Sequence, residues 1–136
     1  MSEKETWAVS LTVNPTAQGV LATVTFANNG AVPAALYKWN ACFGNQIHND
    51  VFEIEHESEM VSYIGRLAKR GEPKAEDFVT VLPGEKVSYT VNLGTAYGFP
   101  GGKHQYKIRY SALNPYLGRP GFDSLKSNEA VFEYIA

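Results

Sequence analysis

Apolar and polar residues alternate through most of this sequence with a period of two residues. The pattern is clear in residues 7–13 and again in residues 86–93. Successive side chains of an extended chain point to opposite faces, so this period places the apolar residues on one face of a β-strand. An amphipathic helical pattern nowhere extends beyond two turns. The alternation therefore predicts an all-β chain.

The alternating runs are short, and turn residues such as Asn28-Asn29-Gly30 and Pro83-Gly84 separate them. We expect strands at residues 6–13, 20–27, 35–43, 51–56, 78–82, 86–93, 105–112 and 129–135, with a further short strand at 61–67 and a long loop at 114–127. Short strands with frequent turns are typical of two stacked antiparallel sheets. The sequence thus predicts an immunoglobulin-like antiparallel β-sandwich of about seven or eight strands.

The length of 136 residues suits one domain, and we expect residues 1–136 to form it. The net charge is −2, whereas proteins that bind nucleic acid usually carry a basic surplus. No apolar stretch approaches the roughly 20 residues of a membrane span. Residues 1–6 lack the basic start and apolar run of a signal peptide. We therefore expect no nucleic-acid or membrane partner, and a cytoplasmic location, or a secreted one if a leader has been removed.

Motifs for catalysis and metal binding are incomplete. His56-Glu57 begins the zinc-peptidase helix motif, but Met60 stands where the second histidine is required. His48, His56 and His104 are more simply surface or loop residues. The single cysteine, Cys42, has apolar neighbours, which favours a buried thiol over a nucleophile. We expect no enzyme activity, no cofactor and no metal.

Five pieces of the central half of the chain carry a likeness to a known family. They lie at residues 49–52, 63–70, 77–85, 91–97 and 102–110, and the most distinctive are the Tyr-Ile-Gly-Arg-Leu and Lys-Arg stretches of the second piece. Together they resemble the β-sandwich pro-domain of deuterolysin-type zinc metallopeptidases, the group that includes peptidyl-Lys endopeptidases. The sequence contains no counterpart of that family's catalytic domain. The resemblance therefore implies a free-standing relative of a pro-domain that assists folding and holds a peptidase inactive.

A second likeness is to chagasin-type cysteine-peptidase inhibitors, which are also immunoglobulin-like. It depends on three short stretches at residues 14–16, 98–102 and 119–122. The first of these joins the first and second predicted strands, whereas that family places it between the second and third. Gly121 also separates Pro120 from Phe122, which interrupts the third motif.

Two segments are candidates for contact with a protein partner. The first is basic and comprises Tyr63, Ile64, Gly65, Arg66, Leu67, Lys69 and Arg70. Lysine and proline commonly protect edge strands, and Pro73 follows, so this segment is either a guarded edge or an edge used for binding. The second lies in the long loop and comprises Tyr116, Leu117, Arg119 and Phe122. Aromatic and arginine side chains are typical interface anchors, although packing over the sandwich end would also explain them.

These observations favour a non-catalytic protein-binding module. The leading hypothesis is a peptidase inhibitor or pro-domain-like chaperone that occludes a partner's cleft with loops or a sheet edge. One alternative is a structural or self-assembling β-sandwich. Another is a carbohydrate- or small-ligand-binding sandwich, in which Trp7, Trp39 and the eight tyrosines would stack on sugars, although most occupy positions expected of core residues. The sequence leaves the partner's identity and the oligomeric state open.

Overall fold

The computed structural model describes residues 6–136 and confirms the all-β fold. The strands are β1 (Trp7–Thr16), β2 (Gly19–Asn28), β3 (Ala34–Tyr37), β4 (Phe52–His56), β5 (Glu59–Met60), β6 (Phe78–Val81), β7 (Lys86–Asn92), β8 (Lys103–Pro115), β9 (Phe122–Lys126) and β10 (Ala130–Ile135). Four 3-10 helices are η1 (Lys38–Asn40), η2 (Phe43–Asn45), η3 (Ala75–Asp77) and η4 (Leu93–Thr95). Residues 1–5, which the prediction about a signal peptide concerns, lie outside the described range. No helix within residues 6–136 is long and apolar enough to cross a membrane.

The strands form three antiparallel sheets. One has the order β1-β2-β7, a second has the order β10-β8-β4-β5 with β9 also paired to β8, and β3 pairs with β6. The long strand β8 organises the second sheet, because it pairs with β10 and β4 along its first part and with β9 along its last. Residues 6–136 form ten strands, more than the predicted seven or eight, and the additional ones include β5, which has only two residues, and β9.

The core lies between the inner faces of the two larger sheets. Alternate residues of β2 are completely buried, as the period-two pattern predicts: Val20, Ala22, Val24 and Phe26. Phe26 meets Tyr110 of β8 edge to face, with ring centroids 5.3 Å apart. Such interdigitation across two inner faces is how a sandwich excludes water.

The ends of β1 and β3 differ from the prediction. β1 continues through Pro15 to Thr16 and pairs with β2 alone. Proline is tolerated there because an edge strand does not need every N–H for a ladder. The third strand ends at Tyr37 and not at residue 43, since the chain then enters two 3-10 turns in which Cys42 adopts a left-handed φ of 63°.

The long loop predicted at residues 114–127 is mostly β-structure. β8 extends to Pro115, and β9 returns beside it with Phe122 opposite Pro115. Only residues 116–121 form the turn of this hairpin. The prolines and glycines that suggested a loop are concentrated at that turn, so they do not interrupt the strands.

Two buried asparagines join the small β3–β6 sheet to the rest of the sandwich. Asn114 of β8 accepts a hydrogen bond from the Tyr37 amide (2.8 Å) and donates to the Ala35 carbonyl (3.1 Å). Asn28 at the end of β2 donates to the Val81 carbonyl at 2.8 Å. Buried polar groups with such partners hold the short sheet in place.

Candidate protein-binding surface

The basic segment predicted as an edge strand does not form a strand. β5 ends at Met60, Tyr63 makes one isolated bridge with Tyr97, and the chain then runs irregularly to η3. The prediction that this segment is a sheet edge, whether guarded or used for binding, was therefore wrong, because the segment forms no strand with which another strand could pair. We call residues 63–74 the strap.

Backbone hydrogen bonds fix the start of the strap to the turn after β7. The Ile64 amide donates to the Ala96 carbonyl at 2.8 Å, and the Gly98 amide donates to the Ser62 carbonyl at 2.9 Å. The strap therefore leaves the sandwich from a defined position.

Tyr63 shapes the first turn of the strap. Its ring packs against the buried Tyr97 ring with centroids 5.4 Å apart, and its hydroxyl donates to the Arg66 carbonyl. The same ring passes so close to Gly65 that a Cβ there would lie 2.8 Å from it. A side chain at residue 65 would therefore force the Tyr63 ring to shift, which the sequence alone did not reveal.

Arg70 anchors the other end of the strap on η1. Its guanidinium carbon lies 4.1 Å from the centre of the Trp39 ring, a cation–π contact. The Trp39 indole in turn donates to the Asp77 carboxylate at 2.9 Å. Two hydrogen bonds lower the pKa of the Asp77 carboxyl and keep it ionised. The larger effect comes from the Lys74 backbone amide and the smaller from the Trp39 indole.

Between these anchors the strap is open to solvent. Residues 66–72 are all exposed, and Leu67 retains 77% of its accessible surface. Lys69 lies in the same exposed run. The strap thus presents an exposed leucine between basic residues on a segment held at both ends.

The second candidate segment forms the tip of the β8–β9 hairpin. The Tyr116 amide donates to the Gly121 carbonyl at 3.0 Å, and the Tyr116 hydroxyl donates to Asp123 at 2.8 Å. The Arg119 guanidinium lies over the Tyr116 ring at 3.9 Å. Gly121 has a φ of 108°, which favours glycine. Tyr116 therefore organises the tip, and Arg119 covers it.

Apolar side chains are exposed beside this tip. Phe122 retains 55% of its surface, and Leu117 is also exposed. Leu113 is exposed as well. It lies on the same face of β8 as Pro115, which is the residue paired with Phe122. Sequence analysis missed Leu113, because only the pairing of β8 with β9 shows that Leu113 lies on the same face of the hairpin as Phe122.

The helix η1 lies between the two segments. The Trp39 ring contacts the Arg70 guanidinium of the strap, while the Asn40 side chain donates to the Leu113 carbonyl at 2.8 Å. Residues distant in sequence thus flank the same 3-10 turn. Arg70 of the strap and Leu113 near the end of β8 therefore both contact η1.

Two of the histidines lie in strands and are partly exposed at the surface. His56 of β4 and His104 of β8 have ring centroids 4.8 Å apart beside a pocket of about 540 Å³. The Nδ1 atom of His56 and the hydroxyl of Tyr106 are buried without a hydrogen-bond partner in the described chain. Within residues 6–136, no three His, Cys, Asp or Glu side chains are grouped to hold a metal ion.

The geometry separates the loops on which the likeness to chagasin-type inhibitors depends. Residues 98–102 precede β8, whereas residues 119–122 follow its other end. A strand of 13 residues spans about 43 Å at 3.3 Å per residue. These two loops therefore cannot enter one cleft as a single wedge.

Comparison with known proteins gives one informative similarity. No protein-family model matches the chain. Over 102 residues the chain is 28% identical to a protein of Aeromonas hydrophila described as an extracellular protease, and this alignment covers 75% of the chain but 28% of the protease. The chain thus spans less than a third of the length of that relative. Most of this all-β, sandwich-like chain is similar to a minor part of an extracellular protease.

Proposed function

We propose that this chain is a non-catalytic module that binds a peptidase, acting as an inhibitor or as a pro-domain-like folding chaperone. The observation that supports the proposal most directly is the extent of the similarity, 75% of this chain but 28% of the protease. A β-sandwich that corresponds to a minor part of a protease suits an accessory segment that contacts the catalytic part. The resemblance of residues 49–110 to a metallopeptidase pro-domain agrees with this role.

The strap would supply the main contact. Peptidases bind their substrates as extended chains, and the strap is an irregular, exposed segment on a rigid support. Its anchors at Ile64 and Arg70 reduce the conformational entropy lost on binding. The same anchors would keep the segment in the cleft and hinder the rearrangements that cleavage requires.

The hairpin tip would supply a second contact. Leu117 and Phe122 are exposed apolar side chains, and Arg119 adds a positive charge. Two contacts on a rigid sandwich bind more tightly than either alone, because the second forms within an existing complex.

Inhibition and refolding assays test the proposal. The protein would be titrated into the Aeromonas hydrophila extracellular protease, and in parallel added to the same protease during dilution from denaturant. We expect either stoichiometric loss of peptidase activity or a higher yield of refolded enzyme. Neither effect, together with no complex in size-exclusion chromatography, would contradict the proposal for this protease.

Matched variants locate the contact. Leu67→Asp in the strap and Phe122→Asp at the hairpin tip should each weaken inhibition or assisted refolding. Thr12→Asp, on the exposed outer face of β1, places the same charge away from both segments and should leave the effect unchanged. If light scattering instead reveals a stable oligomer that Leu67→Asp dissociates, the self-assembling alternative is favoured.

A further inference from the structure

A pocket of about 680 Å³ opens beside the strap. Three segments that are distant in sequence line it: the end of η2 and the residues after it, the start of the strap, and the turn after β7. Its polar side chains belong to Asn45, Gln46, Arg66, Asn92 and Thr95.

Arg66 is the only charged residue in this lining, and none of the other lining residues is acidic. The two ion pairs formed within residues 6–136 are Lys103 with Glu133 and Arg109 with Glu129. Arg66 is therefore available for a carboxylate from outside. A guanidinium binds a carboxylate through two parallel hydrogen bonds, which makes arginine suited to this recognition.

Asn45, another lining residue, has a left-handed backbone conformation. Asn45 has a φ of 62°, in the left-handed region that asparagine tolerates better than most residues. Its side-chain oxygen accepts the Thr90 amide of β7 at 3.0 Å, which fixes the loop against the sheet. Strained residues held by their surroundings are concentrated at functional sites.

The strap side of the pocket is also fixed. The hydrogen bond from the Ile64 amide to the Ala96 carbonyl joins two of its lining segments, and the Tyr63 hydroxyl donates to the carbonyl of Arg66. The backbone on this side is therefore already ordered, and binding would chiefly order exposed side chains such as Arg66 and Gln46. A pocket of this kind loses little conformational entropy when it takes a ligand.

We propose that this pocket binds a carboxylate group of a partner polypeptide, with Arg66 as its ion-pairing residue and the neutral polar side chains around it as further hydrogen-bonding groups. The assignment rests on the proposed function only in taking that polypeptide to be a peptidase. The carboxylate belongs either to an aspartate or glutamate side chain or to a chain terminus, and both sources present the same group to Arg66.

Peptide titrations monitored by NMR amide shifts test the pocket without any peptidase. The probes are acetyl-Ala-Glu-Ala-amide, acetyl-Ala-Ala-Ala with a free carboxyl terminus, and the neutral acetyl-Ala-Ala-Ala-amide. We expect one or both acidic peptides, but not the neutral one, to shift the amides of Gln46 and Ala96. The stronger acidic peptide identifies the source of the carboxylate.

Arg66→Gln and Lys69→Gln form a matched pair, because both remove a positive charge from the exposed strap but only Arg66 lines the pocket. Arg66→Gln should weaken acidic-peptide binding about tenfold or more, as expected for a lost charge-assisted bond. Lys69→Gln should weaken it less than twofold. Equal losses in both variants, or equal shifts with the neutral peptide, would overturn the proposal.

The peptidase assay and the peptide titrations, both run on the wild-type protein, separate this inference from the proposed function. If the wild-type protein inhibits or refolds the peptidase but the acidic peptides do not bind, the pocket is wrongly assigned and the proposed function stands. If the acidic peptides bind as described but the peptidase is unaffected, the carboxylate site stands and the peptidase is the wrong partner.

Discussion

Replacing Tyr97 by phenylalanine should destabilise the fold although the ring is retained. The buried Tyr97 hydroxyl donates to Asp50 at 2.8 Å and accepts the Phe52 amide at 3.0 Å, so it joins the strap anchor to the start of β4. Burial and the hydrogen bond to Asp50 raise the pKa of this hydroxyl, which therefore stays protonated at neutral pH.

The two lost hydrogen bonds differ in cost. Phe52 is only 4% exposed, and an unsatisfied buried N–H costs about 1–3 kcal/mol. Asp50 is exposed, so water replaces the hydroxyl there at little cost. We expect Tyr97→Phe to lower the free energy of unfolding by about 2 kcal/mol. In urea, the midpoint should fall by roughly 1 M for a slope of about 2 kcal/mol per M.

Tyr63→Phe is the matched control. It also removes one tyrosine hydroxyl from the same aromatic pair, but that hydroxyl bonds to the exposed carbonyl of Arg66. The unfolding midpoint should change by less than about 0.3 M, since exposed groups exchange such bonds with water. Equal losses in the two variants, or a loss below about 0.5 kcal/mol for Tyr97→Phe, would refute this reasoning.

Three further predictions follow from buried polar groups. Burial raises the pKa of the Cys42 thiol to about 12, so a thiol reagent at pH 8 should label the native protein only as it unfolds; rapid labelling without urea would contradict this. Asn28→Ala should cost about 2 kcal/mol in urea unfolding because Asn28 is completely buried and hydrogen-bonded, whereas Asn29→Ala at the neighbouring exposed position should cost under about 0.5. Burial raises the pKa values of Tyr97 and Tyr110 in the folded state, so the unfolded chain binds fewer protons above pH 10 and stability should fall by about 1 kcal/mol for each tyrosine between pH 10 and pH 11. Urea unfolding between pH 10 and pH 11 measures this slope, and a constant midpoint would contradict it.

Local periodicity was sufficient to predict the strands that line the core. β2 and β7 begin and end within a residue of their predicted limits, because one face of each alternates cleanly. Periodicity failed where proline or glycine suggested the end of a strand but pairing with a neighbouring strand continued past it. Pro15 did not end β1, which is an edge strand, and the prolines and glycines near residue 120 mark a hairpin turn between β8 and β9.

The candidate site was predictable as a set of residues but not as an arrangement. Sequence analysis named the residues of the strap and the hairpin tip because basic and aromatic residues are concentrated there. The cation–π contact of Arg70 with Trp39, and the pocket shared by Asn45 and Arg66, join residues far apart in the chain. No periodic pattern contains such long-range contacts, so they became visible only with the fold.

Hydrogen–deuterium exchange of the protein with and without the Aeromonas hydrophila protease tests the central claim most directly. If a rigid sandwich presents the strap and the hairpin tip to a peptidase, amides within residues 63–74 and 116–122 should exchange more slowly in the mixture. The amides of β1, β2 and β7 should exchange at the same rate as in the isolated protein. Unchanged exchange in both segments, or protection confined to these three strands, would contradict the claim.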